Sequence, residues 1–209
     1  MTLPLEIMLK LIFPVLGGYL IGSISFAVIV SRAIRLPDPR TYGSGNPGAN
    51  NVLRSGSKLA AILTLLGDAF KGWLAVWLAQ RFSPSGDAQL TIAVVGLCAV
   101  IGHIFPVFHR FQGGKGAATA VGVLIAFSGL LGVGVLAVWI MIALVIRISS
   151  LATIAAALFS LVLAAYLFGV ADPLFISVVL IAVGVICRHH QNIRNLLTDT
   201  EGKIGKKIL

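Results

Sequence analysis

Apolar residues come in long runs bounded by glycine, proline or charge, the pattern of helices that are hydrophobic on every side. A membrane crossing needs about 20 apolar residues to cover about 30 Å of hydrocarbon. On that measure residues 8–31, 58–80 and 90–109 predict three spanning helices. The run from Ala117 to Ile146 is too long for one crossing, and Ser128-Gly129 near its middle marks a tight turn between two short helices. Residues 150–169 and 173–188 predict two more, the last opening after Asp172-Pro173, where proline suits a helix start. The expected fold is an all-α integral membrane protein, a bundle of seven transmembrane helices forming a single domain over residues 1–209. The N-terminal apolar stretch runs past Val30 with no basic leader and no cleavage site, so it is expected to be the first span and not a signal peptide.

Composition agrees with a membrane protein. Hydrophobic residues make up 58% of the 209 positions and charged residues only 11%, against about 25% charged in a soluble domain. The formal charge of +9 would suggest a nucleic-acid partner in a soluble chain, but basic loops on one side of a membrane give the same total. Location decides. With seven spans, the segments 32–57, 110–116, 147–149 and 189–209 share one side. Thirteen of the sixteen lysines and arginines lie there or at the adjoining helix ends, leaving Lys10, Lys71 and Arg81 elsewhere. This asymmetry predicts a cytoplasmic C-terminus and an N-terminus outside, membrane lipids as partners and no nucleic acid. Cys98 and Cys187 lie in apolar stretches without metal-ligand spacing, so neither a disulfide nor a metal site is expected, and no cofactor.

Three polar stretches carry candidate chemistry, and all fall on that predicted cytoplasmic side. In Gly43-Ser44-Gly45-Asn46-Pro47-Gly48-Ala49-Asn50-Asn51, followed by Arg54, glycines and proline favour turns that leave amides facing an anion, with the Ser44 hydroxyl beside them. The same composition also suits a flexible loop. The stretch from Gly102 to Gly116 ends in Gly113-Gly114-Lys115-Gly116, which offers backbone N–H groups, an ammonium and a helix N-terminus to one phosphate. It is not a Walker loop, because no Ser or Thr follows Lys115, and a plain basic loop explains it about equally well. In Arg188-His189-His190-Gln191-Asn192-Ile193-Arg194, a helix would put His189 and Asn192 on one face. A basic stop at the headgroups explains the arginines but not the His and Asn. Asp68 and Lys71, three apart within a span, suggest a structural ion pair, and Ser149 with Ser150 suggests helix capping. Gly18 and Gly22 permit close helix packing, while Gly122, Gly129, Gly132 and Gly134 are expected to leave a groove for an acyl chain.

Taken together and in order, GSGNPGANN with Arg54, GHIFPVFHRFQGGKGAAT, and RHHQNIRNLL with Glu201 resemble the acyl-phosphate:glycerol-3-phosphate acyltransferase family of bacterial membranes. The resemblance implies transfer of a fatty acyl group from acyl phosphate to the sn-1 hydroxyl of glycerol 3-phosphate at the cytoplasmic face of the inner membrane, giving lysophosphatidic acid. It implies catalytic roles for Ser44, His189 and Asn192, substrate binding by Gly43, Asn46, Arg54, Gly113, Gly114 and Lys115, and a structural role for Glu201. Asn50 departs from the family, which commonly has Thr there. The His and Asp separated by four residues, used by acyl-CoA-dependent acyltransferases, is absent after each of His103, His109, His189 and His190. A transporter of an organic phosphate or other anion is the alternative. It calls for ionisable residues along a path through the bilayer, and only Asp68 and Lys71 qualify.

Overall fold

The computed structural model describes residues 5–82 and 88–204, with side chains from residue 11 onward. Ten α-helices are present and no strand among the described residues: α1 (Leu5–Gly22), α2 (Phe26–Ala33), α3 (Ala49–Leu53), α4 (Lys58–Phe82), α5 (Ala88–Ile104), α6 (Ala117–Phe127), α7 (Gly129–Ile146), α8 (Ser149–Phe168), α9 (Pro173–Arg188) and α10 (His190–Leu197). Four helices are long and apolar enough to cross a membrane, or six spans if each of two bent pairs counts as one; α6, with 11 residues, is shorter than a crossing.

Sequence punctuation sets most boundaries. Ser128 both ends α6 and caps α7, its hydroxyl accepting from the Leu131 N–H at 3.4 Å. Asp172 caps α9, accepting from the Leu174 N–H at 2.7 Å, with Pro173 in the first turn. The expected continuous span over residues 8–31 is instead broken, because α1 and α2 meet at 43° across Ser23-Ile24-Ser25. Ser23 Oγ donates to Tyr19 O at 2.9 Å, and Ser25 caps α2. These polar groups satisfy backbone atoms that a break away from water would otherwise strand.

Small residues let the helices close on one another. A Cβ on Gly22 would overlap the Ala99 backbone, one on Gly102 the Tyr19 carbonyl, and so α1 runs tightly against α5. Gly72 meets Thr119 and Gly122 meets Ala69 in the same way, which joins α4 to α6. The expected acyl groove along Gly122, Gly132 and Gly134 is thereby corrected: Ala69, Ile125 and Leu163 fill those spaces, and of the four glycines only Gly129 faces open space. The alanine- and valine-rich core lies between α4, α5, α6 and α9, with a second cluster between α6, α7, α8 and α9. Leu144, Val145, Val162 and Tyr166 point outward, as lipid-facing side chains do.

Four polar segments meet at one end of this bundle. The Asn50 side chain reaches Ser149, Arg188 reaches the 113–114 turn, Ser150 reaches Glu201, and the Ile204 N–H donates to Arg147 O. Lys206 and Lys207 lie outside the described residues.

Candidate functional site

The first loop is organised by a residue that the sequence had not singled out as a site residue. Asn51 is buried, its Oδ1 accepts from the Ser44 N–H at 2.9 Å, and its Nδ2 donates to Pro39 O at 2.6 Å and Tyr42 O at 3.1 Å. One amide thus pins the loop at three points. Gly43 has φ +59°, and a Cβ there would strike Asn51 Oδ1 and come within 3.1 Å of Arg54 Cδ, so the turn is closed to larger residues. Ser44 and Arg54 are exposed, and Ser44 Oγ has no side-chain hydrogen bond among the described residues. The doubled Asn50-Asn51 was the signal in the sequence.

The second loop enters α6 through Gly116, in the left-handed region at φ +86° and without a side-chain cap. The first amides of α6 therefore have no internal acceptor, the arrangement that receives anions. Arg188 clamps the loop from α9, donating Nε to Gly114 O at 3.3 Å and Nη2 to Gly113 O at 3.1 Å. Lys115 Nζ donates to Asn192 Oδ1 at 2.7 Å. Burial lowers the Lys115 pKa, Glu201 opposes that shift, and Arg188 and Arg54 add to it.

The third segment differs from expectation in its backbone. No single helix carries His189 and Asn192. α9 ends at Arg188, α10 begins at His190, and the two are bent by 58°. His189 sits at the corner, buried, with Nδ1 2.7 Å from Val185 O. A carbonyl only accepts, so Nδ1 carries the hydrogen and Nε2 of the neutral ring keeps its lone pair. Burial pushes the His189 pKa down to about 4, helped by Lys115 and Arg188.

Asn192 then links the loops. Its Oδ1 accepts from Lys115 while its Nδ2 donates to Glu201 Oε1 at 2.6 Å, which fixes the amide orientation. Glu201 also accepts from Ser150 Oγ at 2.6 Å and, through Oε2, from Asn195 at 3.1 Å. The capping role expected for Ser149 and Ser150 is corrected: Ile148 occupies the N-cap of α8, and the serines instead hold Asn50 and Glu201.

The electrostatic result is a surplus of positive charge. Among the described residues, ion pairs join only Arg40 to Asp38 and Lys71 to Asp68, with the His103 ring beside the second. Lys115 and Arg188 are held by neutral amide and carbonyl oxygens, so their charges remain free to act on an anion. The three motifs do converge at one end, and Pro47 of the first lines the same small recess as Gly113 and Gly114 of the second. Ser44 Oγ is not hydrogen-bonded to His189 or Asn192.

Fold and site together define a multi-pass membrane protein with a cationic cluster at one end. The sequence profile of the glycerol-3-phosphate acyltransferase family matches residues 12–199, and the chain belongs to that family. It is 58% identical to a glycerol-3-phosphate acyltransferase of Ralstonia nicotianae, over 91% of this chain and 92% of the relative. It is 50% identical to one of Burkholderia pseudomallei, over 95% and 98%. Among solved structures it superposes on PlsY (YgiH), an integral membrane glycerol 3-phosphate acyltransferase. The TM-score is 0.85 for the glycerol 3-phosphate form and 0.83 for the lysophosphatidic acid form, at 35% and 34% identity, over 93% of this chain and 95% of the other.

Proposed function

We propose that this chain transfers a fatty acyl group from acyl phosphate to the sn-1 hydroxyl of glycerol 3-phosphate, at the cytoplasmic face of the bacterial inner membrane. The observation that carries this reading is the set of cations, Lys115, Arg188 and Arg54, beside the uncapped start of α6, with no carboxylate in ion-pair contact with them among the described residues. Both substrates bring phosphate, and amide donors with fixed cations suit both. The transporter alternative gains nothing here, because the intramembrane Asp68 and Lys71 are paired with each other and buried.

Lys115, Gly113, Arg54, Gly43 and Asn46 hold substrate phosphates in this scheme, Gly114, whose N–H is given to His103 O, shapes the turn that presents them, and Ser44 offers a hydroxyl to a phosphate or to the acyl carbonyl. Transfer is direct: the glycerol hydroxyl attacks the carbonyl carbon, the carbon–oxygen bond to phosphate breaks, and phosphate leaves. Acyl phosphate is already activated, so orientation and charge stabilisation suffice without a covalent acyl-enzyme. Two acceptors compete for the hydroxyl proton. Burial pushes the His189 pKa down to about 4 and leaves its ring a weak base, whereas a phosphate dianion takes up a proton at about pH 6. The leaving phosphate, departing with the negative charge of the broken bond, is the stronger base and takes the proton, while His189 and Asn192 orient the alcohol.

Seven spans and opposite termini follow if α1 with α2 forms one bent span and α6 with α7 forms a pair leaving and returning to the polar end. Both the start of α6 and the end of α7 lie at that end, so the count of sides is the same whether or not α6 reaches across. The test of direct transfer is to incubate purified protein with radiolabelled acyl phosphate, with and without glycerol 3-phosphate. Labelled lysophosphatidic acid is expected only with both, and no protein-bound label with acyl phosphate alone. Label on Ser44 or Cys187 that later passes to glycerol 3-phosphate would defeat direct transfer.

A further inference from the structure

Three ionisable side chains are buried together in the bundle outside the cluster just described. Lys71 and Asp68 of α4 are each 2% exposed and lie 2.9 Å apart, and His103 of α5, 8% exposed, has Nδ1 3.6 Å from Asp68 Oδ1. Burying charge is costly, and apolar residues of similar size often hold a fold as well or better than a buried ion pair. Packing of α4 alone therefore does not account for the group. Its contacts do.

Lys71 Nζ donates to Ile24 O at 2.6 Å, a carbonyl in the break between α1 and α2. His103 Nδ1 is 3.1 Å from the hydroxyl of Thr119, which is fully buried in the first turns of α6, one helical turn beyond Lys115. The other edge of the same imidazole faces the phosphate loop so closely that a Cβ on Gly114 would overlap Nε2. The Gly114 N–H donates to His103 O at 3.1 Å, so backbone and ring of one residue both hold the turn. A recess of about 10 Å³, the size of one water, lies among Ser23, Ser25, Pro47, Lys71, His103 and Gly113 and joins this network to the first loop.

We propose that Lys71, Asp68, His103 and Thr119 form a positioning device for the phosphate loop. Lys71 anchors the network on the α1–α2 break and holds Asp68 beside the His103 ring, Thr119 fixes that ring by a hydrogen bond, and the ring sets where Gly113 and Gly114 stand relative to the start of α6. None of the four touches substrate. Arg188 grips the Gly113 and Gly114 carbonyls from α9, so α5 and α9 both hold the loop. The inference rests on the transferase reading for its kinetic consequences and on glycerol 3-phosphate binding for its physical one.

His103→Leu removes both attachments of the ring. Thr119→Val removes one hydroxyl and leaves the Lys71–Asp68 pair intact, so it serves if His103→Leu fails to fold. Thr119→Ser restores the hydroxyl. Each protein, reconstituted in liposomes, is measured for kcat, for KM of both substrates, and for direct binding of labelled glycerol 3-phosphate. The expected result is a rise of about tenfold or more in KM for a phosphate substrate in Thr119→Val, a kcat within about threefold of the wild type, and return to the wild-type KM in Thr119→Ser. Unchanged KM and binding in folded Thr119→Val would overturn the proposal, as would a loss confined to kcat. Wild-type protein that binds glycerol 3-phosphate but makes no product would overturn the transferase reading alone, and weaker binding in Thr119→Val would then still support the device.

Discussion

Lys115 Nζ lies 2.7 Å from Asn192 Oδ1, although the two are 77 residues apart in the chain. Through this contact the glycine-rich loop before α6 and the amphipathic α10 become one surface. A hydrogen bond to a charged group is worth about 1.5–3 kcal/mol. Asn192→Leu removes it and also strips one donor from Glu201. The expected outcome is a fall of about 10- to 100-fold in kcat/KM, measured in liposomes with both substrates. Activity within twofold of the wild type would separate Asn192 from the site.

Glu201 gathers three donors, Ser150, Asn192 and Asn195. Glu201→Gln replaces one acceptor oxygen by an NH2 that faces a donor. The change should cost about 1–3 kcal/mol, seen as a lower melting temperature in detergent, with Glu201→Ala at least as damaging. An unchanged melting temperature in both would show that the tail is not held by this carboxylate.

The neutral His189 makes a prediction about acid. Its folded pKa of about 4 lies below the ordinary 6.5, so the unfolded chain binds the proton more readily. Stability from this residue is intact above about pH 6.5 and falls as the pH drops towards 4, by up to about 3 kcal/mol for a shift of this size. The wild type should lose stability across that window, and His189→Gln should lose less. The two proteins showing the same acid slope would remove His189 as the cause.

Topology is checked by a single cysteine at Ser44, in a background with Cys98 and Cys187 replaced. A membrane-impermeant thiol reagent should label it in inverted vesicles and not in right-side-out ones. The opposite pattern would reverse the orientation and move the polar end to the other side of the membrane.

Much of this molecule was legible in its sequence because hydrocarbon enforces simple rules. Long apolar runs became helices, Ser128 and Pro173 marked real boundaries, and the polar motifs collected at one end. What escaped depended on partners distant in sequence. Ser23 and Ser25 look like tolerated polar residues in an apolar run, and only the Lys71 bond to Ile24 O shows the break being supported. Arg188 read as one more basic residue at a helix end, yet it clamps Gly113 and Gly114. Asn51 was visible as half of a doubled asparagine, but its three hydrogen bonds require the loop to fold back on itself. The bend at His189 was hidden because helical spacing continues across it.

The most direct measurement compares initial rates of lysophosphatidic acid formation from labelled glycerol 3-phosphate, with acyl phosphate or acyl-CoA as donor, in wild-type protein and in Lys115→Ala. Product is expected from acyl phosphate and not from acyl-CoA in the wild type, with kcat/KM at least about 100-fold lower in a correctly folded Lys115→Ala, for a loss of about 3 kcal/mol of charge-assisted binding. Product from acyl-CoA alone, or full activity in Lys115→Ala, would contradict acyl transfer from acyl phosphate at this basic cluster.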